Sequence, residues 1–191
     1  FKKKVEETYD KESKQRFSLE KEVQNLIENT QKISQEANNL ASALKGQAKK
    51  QGDWGETILE RILELSGLEK NREYFIQENL KDEHGQNQRP DIIVRLPDDR
   101  NIIIDSKVSL NAYLRYSEAD SKEQQDIFIA NHLQAINQHI DQLSAKKYEE
   151  LTSSLDFVIM FIPVEPAYIL AVQSDPDLWA YAYTRRILLI S

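Results

Sequence analysis

Residues 89–108 read Arg-Pro-Asp-Ile-Ile-Val-Arg-Leu-Pro-Asp-Asp-Arg-Asn-Ile-Ile-Ile-Asp-Ser-Lys-Val. Two β-branched runs, residues 92–96 and 102–108, flank Pro97-Asp98-Asp99-Arg100, which by length and turn chemistry predicts a hairpin. Asp91 opens the first run, while Asp105 and Lys107, two apart and so on one face, close the second. Asp91 and Asp105 share a face only in a register that sets residue 96 opposite residue 100. A plain two- or four-residue loop would put them on opposite faces, so the loop has three or five residues or the strand carries a bulge.

Two carboxylates on neighbouring strands repel unless a cation bridges them. All-oxygen ligation suits Mg²⁺ or Mn²⁺ rather than zinc. Lys107, kept protonated by those carboxylates, would position water and stabilise a pentavalent phosphate rather than act as a free base. As ordinary surface groups the same residues need no chemistry, since an Asp-x-Lys triplet and a Pro-Asp strand entry arise often in charged chains.

Outward from the hairpin, helices and strands alternate. A helix over residues 53–66 carries the stripe Trp54, Ile58, Leu59, Ile62, Leu63 and Leu65, with Gly67 as its stop. At about 100° per residue, Glu56 lies at the edge of this stripe, about 20° from Leu63. Gly46, Gly52 and Gly55, with Lys45, Lys49 and Lys50, mark a break before it. Residues 74–80 read as a strand and 81–89 as a polar loop. Ser121 and Gln124 resemble a capping box opening a helix with the stripe Ile129, Leu133, Ile136, Ile140 and Leu143. Residues 157–162 form an apolar strand of the doubly buried kind, and 186–190 a last strand. Pro166 and Pro176 suit first helical turns, the latter after an Asp175 cap. The expected fold is an α/β sheet whose early strands are antiparallel and whose later one arrives by crossover.

Residues 1–48 differ in kind. Val5, Leu19, Leu26, Ile33 and Leu40 share one heptad position, broken by Glu12. Tyr9, Val23, Ala37 and Leu44 share the other, broken by Arg16 and Thr30. This predicts a coiled coil, a rod of roughly 70 Å at about 1.5 Å per residue, and a homo-oligomer; the plainer alternative is a helix packing on its own domain. The expected domains are therefore 1–48, a coiled-coil helix, and 49–191, the α/β unit.

Composition narrows the function. The 191 residues carry a net charge of −7 and no Cys, which excludes disulfides and Cys-ligated zinc and suits a reducing compartment. Residues 1–50 hold a net +3 and residues 51–191 a net −10. So acidic a unit is a poor general binder of polyanions, and contact with DNA would need local basic groups or bound cations. No run approaches the roughly 18 apolar residues of a membrane span. The start at Phe1 and the stop within an apparent strand suggest a piece of a longer protein.

Several quoted segments carry a resemblance. They are Gly52-Asp53-Trp54-Gly55-Glu56 with Leu59-Glu60-Arg61, Arg89-Pro90-Asp91-Ile92-Ile93-Val94, Ile104-Asp105-Ser106-Lys107-Val108-Ser109-Leu110 and Phe161-Ile162-Pro163-Val164-Glu165-Pro166. In this order, over roughly residues 45–191, they resemble the RmuC family of bacterial DNA recombination proteins. The resemblance implies a PD-(D/E)xK, restriction-endonuclease-like mixed sheet flanked by helices. It further implies that Asp91, Asp105 and the Ser106 carbonyl hold Mg²⁺ or Mn²⁺, that Lys107 is the catalytic lysine, and that Glu56 completes the metal site. It implies DNA as partner, a role in limiting inversions at short inverted repeats, and a cytoplasmic domain anchored to the inner membrane by a segment before the coiled coil. The main expectation is a Mg²⁺- or Mn²⁺-dependent deoxyribonuclease; the alternative is a non-catalytic DNA-structure binder or scaffold with a coiled-coil arm.

Other candidates have a plainer reading beside the functional one. Lys49, Lys50 and Arg61 could touch phosphates or simply be solvated. Arg89 could hold a phosphate or a carboxylate. Glu165 could support the site or complement a helix dipole. Tyr181, Tyr183, Arg185 and Arg186 mix aromatic and basic groups as single-strand binders do, or pack a strand. His132 and His139, one heptad apart with no third ligand in sight, read as surface histidines.

Overall fold

The computed structural model describes residues 17, 19–21, 23–24, 27–28, 31–32, 35–36, 39, 43–44, 46–81, 87–106, 109–148, 151 and 154–191. The chain divides into two units, Phe1–Glu36 and Ala37–Ser191. In the first, every described residue is helical and exposed, Leu19 and Val23 included. The heptad positions Val5, Tyr9, Leu26 and Ile33 lie outside the described residues.

In the second unit, helix α1 spans Ala48–Leu65, five residues longer at its start than expected. Of the glycines read as a break, only Gly46 has a left-handed φ, 79°; Gly52 and Gly55 lie inside α1. Gly55 is there because the helix passes too close to its neighbours for a side chain. A Cβ at this position would stand 3.2 Å from the Ser106 carbonyl oxygen and 3.3 Å from Pro163 Cγ. The helix stops as expected at Gly67, whose φ of 85° lets the Gly67 and Leu68 amides return to the Glu64 and Leu63 carbonyls.

Strand β1 (Tyr74–Ile76) ends four residues sooner than expected because Gln77 turns left-handed, φ 50°. The polar segment contains a small ribbon, β2 (Leu80–Lys81) against β3 (Asn87–Gln88). The hairpin follows as β4 (Ile92–Arg95) and β5 (Asn101–Asp105). Helices α2 (Asn111–Ser117) and α3 (Lys122–Ala145) then lead to β6 (Ser154–Phe161). The chain continues through α4 (Glu165–Ser174) and α5 (Leu178–Thr184) to β7 (Ile187–Ile190). The five-stranded sheet has the order β1-β4-β5-β6-β7: β4 runs antiparallel to both of its neighbours, β1 and β5, while β5, β6 and β7 run parallel. Two strands therefore arrive by crossover where one was expected.

Local chemistry explains most of these elements. Ser121 caps α3 by accepting the Gln124 amide, as its capping-box pattern predicts. Pro166 sits in the first turn of α4, where its missing N–H costs nothing. Pro176 instead precedes α5, which begins after Asp177; the Asp177 amide donates to the Asp175 side chain in a tight turn. Helix α2, with no long apolar stripe, was not legible in the sequence. Ile92, Ile93 and Val94 are all buried, as are Ile103 and Ile104. Successive strand residues face opposite ways, so the hairpin is covered on both sides. Ile136, Ile140 and Leu143 of α3 are buried too, and α3 packs against α4, α5 and β7. Among the described residues no helix is long and apolar enough to cross a membrane.

Gly55→Val should destabilise the domain by about 1–3 kcal/mol, because the new side chain meets backbone at Ser106. Urea unfolding monitored by Trp fluorescence checks this; an unchanged midpoint would mean that α1 can shift freely.

Candidate active site at the end of the central hairpin

Ile92 stands opposite Ile104 and Arg95 opposite Asn101, leaving a five-residue connection from Leu96 to Arg100. The loop is closed by the Leu96 amide on the Arg100 carbonyl at 2.7 Å, with Asp98 taking up a left-handed φ of 65°. One step beyond this register lie Asp91 and Asp105, so the hairpin has the geometry that a shared face requires. Both are nearly inaccessible, 2% and 1% exposed.

Each carboxylate has partners that hold its charge. The Ser106 amide donates to Asp91 Oδ2 at 3.0 Å. Asp105 Oδ2 lies 2.9 Å from His139 Nε2, and Asp105 Oδ1 accepts from Lys146 Nζ at 3.2 Å. Burial alone would raise the Asp105 pKa, but the His139 hydrogen bond and the Lys146 charge outweigh it and bring it down to about 2. Burial likewise works against the charge on Lys146, and Asp105 more than restores it, leaving the ammonium pKa above its ordinary value. Tyr148 closes this side, its ring centroid 5.2 Å from Lys146 Nζ and its hydroxyl pKa pushed up by burial.

Glu56, on α1 next to the close-packed Gly55, is reached from the other side. Gln77 Nε2 donates to Glu56 Oε2 at 2.9 Å. Arg89 grips the same glutamine twice, Nη2 to Oε1 at 2.8 Å and Nε to the Gln77 carbonyl at 3.0 Å. Gln77 is thus a link between Glu56 and Arg89. The hairpin end brings together Asp91, Asp105 and Ser106, and the Gly55 contact brings α1 against the Ser106 carbonyl. Lys107 lies outside the described residues.

The other candidates lie elsewhere. Lys49, Lys50 and Arg61 are exposed on α1, and Glu165 is exposed at the first position of α4, where its charge complements the helix dipole. Tyr181 and Arg185 both bind Asp141 Oδ1, at 2.7 and 2.9 Å, tying α5 to α3. Tyr183 packs between Phe157 and Trp179, and Arg186 is exposed at the turn into β7.

The histidines correct the sequence reading: neither is a surface group. His132 is completely buried, its Nε2–H donating to the Ala167 carbonyl at 3.0 Å, and burial lowers its pKa. His139 binds Asp105. A signal existed, because His132, Ile136 and Ile140 are spaced by four and share the buried stripe. For His139 the sequence offered only its place beside that stripe.

Two buried carboxylates, Asp91 and Asp105, and the neighbouring Ser106 carbonyl are oxygen donors of the kind a hard divalent cation takes, while Asp91 Oδ2 and both Asp105 oxygens already have protein partners. No group of three or more His, Asp or Glu side chains fit to hold a metal assembles among the described residues, so such an ion would depend on two carboxylates and backbone.

A mixed α/β domain with a buried pair of carboxylates at the end of its central hairpin is the class these features define. The RmuC family model matches residues 1–191, and the chain belongs to the RmuC family. It is 44% identical over 193 residues to a DNA recombination protein RmuC homolog of Pseudomonas aeruginosa, covering 100% of this chain and 42% of that protein. A Vibrio cholerae homolog is also 44% identical, with 100% and 38% covered. The DNA recombination protein RmuC of Salmonella typhimurium is 40% identical, with 100% and 40% covered. The chain therefore spans about two-fifths of the length of these curated relatives. No solved structure matches it.

Asp105→Asn should cost roughly 2 kcal/mol of stability at neutral pH, from a carboxyl whose pKa is about 2 folded against 3.8 ordinarily. Because the folded value is the lower one, this stabilisation is present above pH 3.8 and is lost as pH falls through about 2. Urea midpoints of wild type and variant should therefore differ at pH 7 and converge towards pH 2.

Proposed function

We propose that this chain is the catalytic region of a Mg²⁺- or Mn²⁺-dependent DNA phosphodiesterase of the PD-(D/E)xK type. The observation that carries this reading is the pair of buried carboxylates, Asp91 and Asp105, one step past the hairpin register with Ser106 beside them. Burying two acids side by side is costly unless cations neutralise them, which makes the pair hard to explain as surface decoration. DNA as the substrate is drawn from the name of the relatives, DNA recombination protein.

In this reading Asp91, Asp105 and the Ser106 carbonyl would hold the ion, and Glu56, which forms no three-acid group with them among the described residues, would have to move in to complete the set. The ion would neutralise developing charge on the phosphate and lower the pKa of the attacking water. The chain's own groups prepare the site. The Ser106 amide fixes one Asp91 oxygen, His139 orients Asp105, and Gln77 with Arg89 holds Glu56 in place. Lys107, two residues after Asp105 in the sequence, would be the catalytic lysine that the family resemblance implies. Lys49, Lys50 and Arg61 would meet flanking phosphates, offsetting the acidity of the domain. The coiled-coil arm would join copies of the chain, the whole protein would act in the cytoplasm from an inner-membrane anchor, and its substrates would include DNA at short inverted repeats.

The test is cleavage of linear, hairpin and branched DNA by the full-length protein with Mn²⁺. Chelation should abolish cleavage, and Asp105→Asn should lower it by about 100-fold or more. Cleavage that survives in the variant would remove the hairpin end as the site. DNA bound but uncut by both proteins would instead establish a non-catalytic scaffold.

A further inference from the structure

Lys146 and His139 meet Asp105 from one short stretch of chain. His139 lies within α3, and Lys146 is its C-terminal cap residue, seven positions later and so on the same face. Together they engage both oxygens of a single carboxylate, His139 Nε2 on Oδ2 at 2.9 Å and Lys146 Nζ on Oδ1 at 3.2 Å. Their surroundings differ. The His139 side chain is 13% exposed, held between helix and sheet, whereas that of Lys146 is 40% exposed. The backbone beyond Lys146 leaves the helix at once, Lys147 having a left-handed φ of 50°. His139 is thus a fixed partner, and Lys146 a cation with a solvent path, able to leave Asp105 without opening the core.

We propose that Lys146 is the resident counter-ion of Asp105 and competes with a divalent cation for that carboxylate, while His139 stays as the positioning residue that keeps Asp105 aimed. This rests on the metal-dependent reading above and adds to it the regulation of metal entry by the chain's own lysine. Without an ion, the charge of Lys146 offsets that of Asp105. When a divalent ion arrives, its charge and that of Lys146 repel across one carboxylate. The exposed lysine then moves out, towards solvent or a phosphate of bound DNA.

The experiment is a titration of the full-length protein with Mn²⁺ alone, no DNA present, with free Mn²⁺ read by electron paramagnetic resonance. Lys146→Met and Lys146→Gln should bind at least about tenfold more tightly than wild type, since a positive charge a few ångströms from the ion is gone. Lys146→Arg, keeping the charge, should stay within about threefold of wild type, and Asp105→Asn should lose the site. The two neutral variants should also melt at lower temperature than wild type without Mn²⁺. A lysine with a merely structural role would instead weaken Mn²⁺ binding when replaced. Equal or weaker binding by both neutral variants, with Asp105→Asn still losing the site, would overturn the competition and leave the metal reading standing. No Mn²⁺ binding by any of the proteins at millimolar concentration would overturn both.

Discussion

The five-residue connection between β4 and β5 is the constraint on which the site depends. Strand side chains alternate, so shifting the pairing by one residue would send Asp91 and Asp105 to opposite faces of the sheet. The core enforces the register found. Ile92 and Ile104 stand opposite one another and are buried together, and a slip would turn one of them into the opposite layer and break the packing on both faces. Beyond the last ladder pair, the Ser106 amide finds its acceptor in the Asp91 side chain rather than in a strand carbonyl. The hairpin end is thereby sealed by the same group that gives it chemistry.

Two carboxylates so placed impose a demand on the rest of the fold. Charge buried in a protein must be paired and hydrogen-bonded, and α3 meets that need for Asp105. The helix runs 24 residues from its Ser121 cap, and its face is set by Ile136, Ile140 and Leu143 in the core. With that face fixed, His139 and the residue that ends the helix, Lys146, come to the carboxylate. On the other side, Gly55 lets α1 approach the Ser106 carbonyl, and Gln77 binds Glu56 because β1 ends there in a left-handed turn. The apolar core and the polar site share the same alignment: moving either helix would break both.

The aromatic and basic cluster on α5 illustrates the opposite outcome. Tyr181 and Arg185 mimic a nucleic-acid platform by composition, yet both are bound to Asp141, with the Arg185 guanidinium 3.6 Å above the Tyr181 ring. Composition alone does not separate a ligand-facing group from one that joins two helices, because the side chains suit both tasks.

The sequence by itself determined what depends on near neighbours. The hairpin and its turn, the capped helix α3, the Gly67 stop and the presence of strand β6 each follow from patterns spanning fewer than about ten residues, where periodicity and capping act, although β6 starts at Ser154 and leaves Phe157 and Ile159 half-buried. The family was legible for a similar reason, as several short motifs in a fixed order. Tertiary structure alone decided the partners of the carboxylates. His139 and Lys146 lie 34 and 41 residues from Asp105, and Gln77 lies 21 from Glu56. No local rule acts over such separations, so an amphipathic helix shows which face is buried but not which polar group at its margin will meet a charge. Gly55 makes the same point at shorter range: a glycine that reads as a helix break is, once the sheet is in place, the residue that lets helix and carbonyl approach.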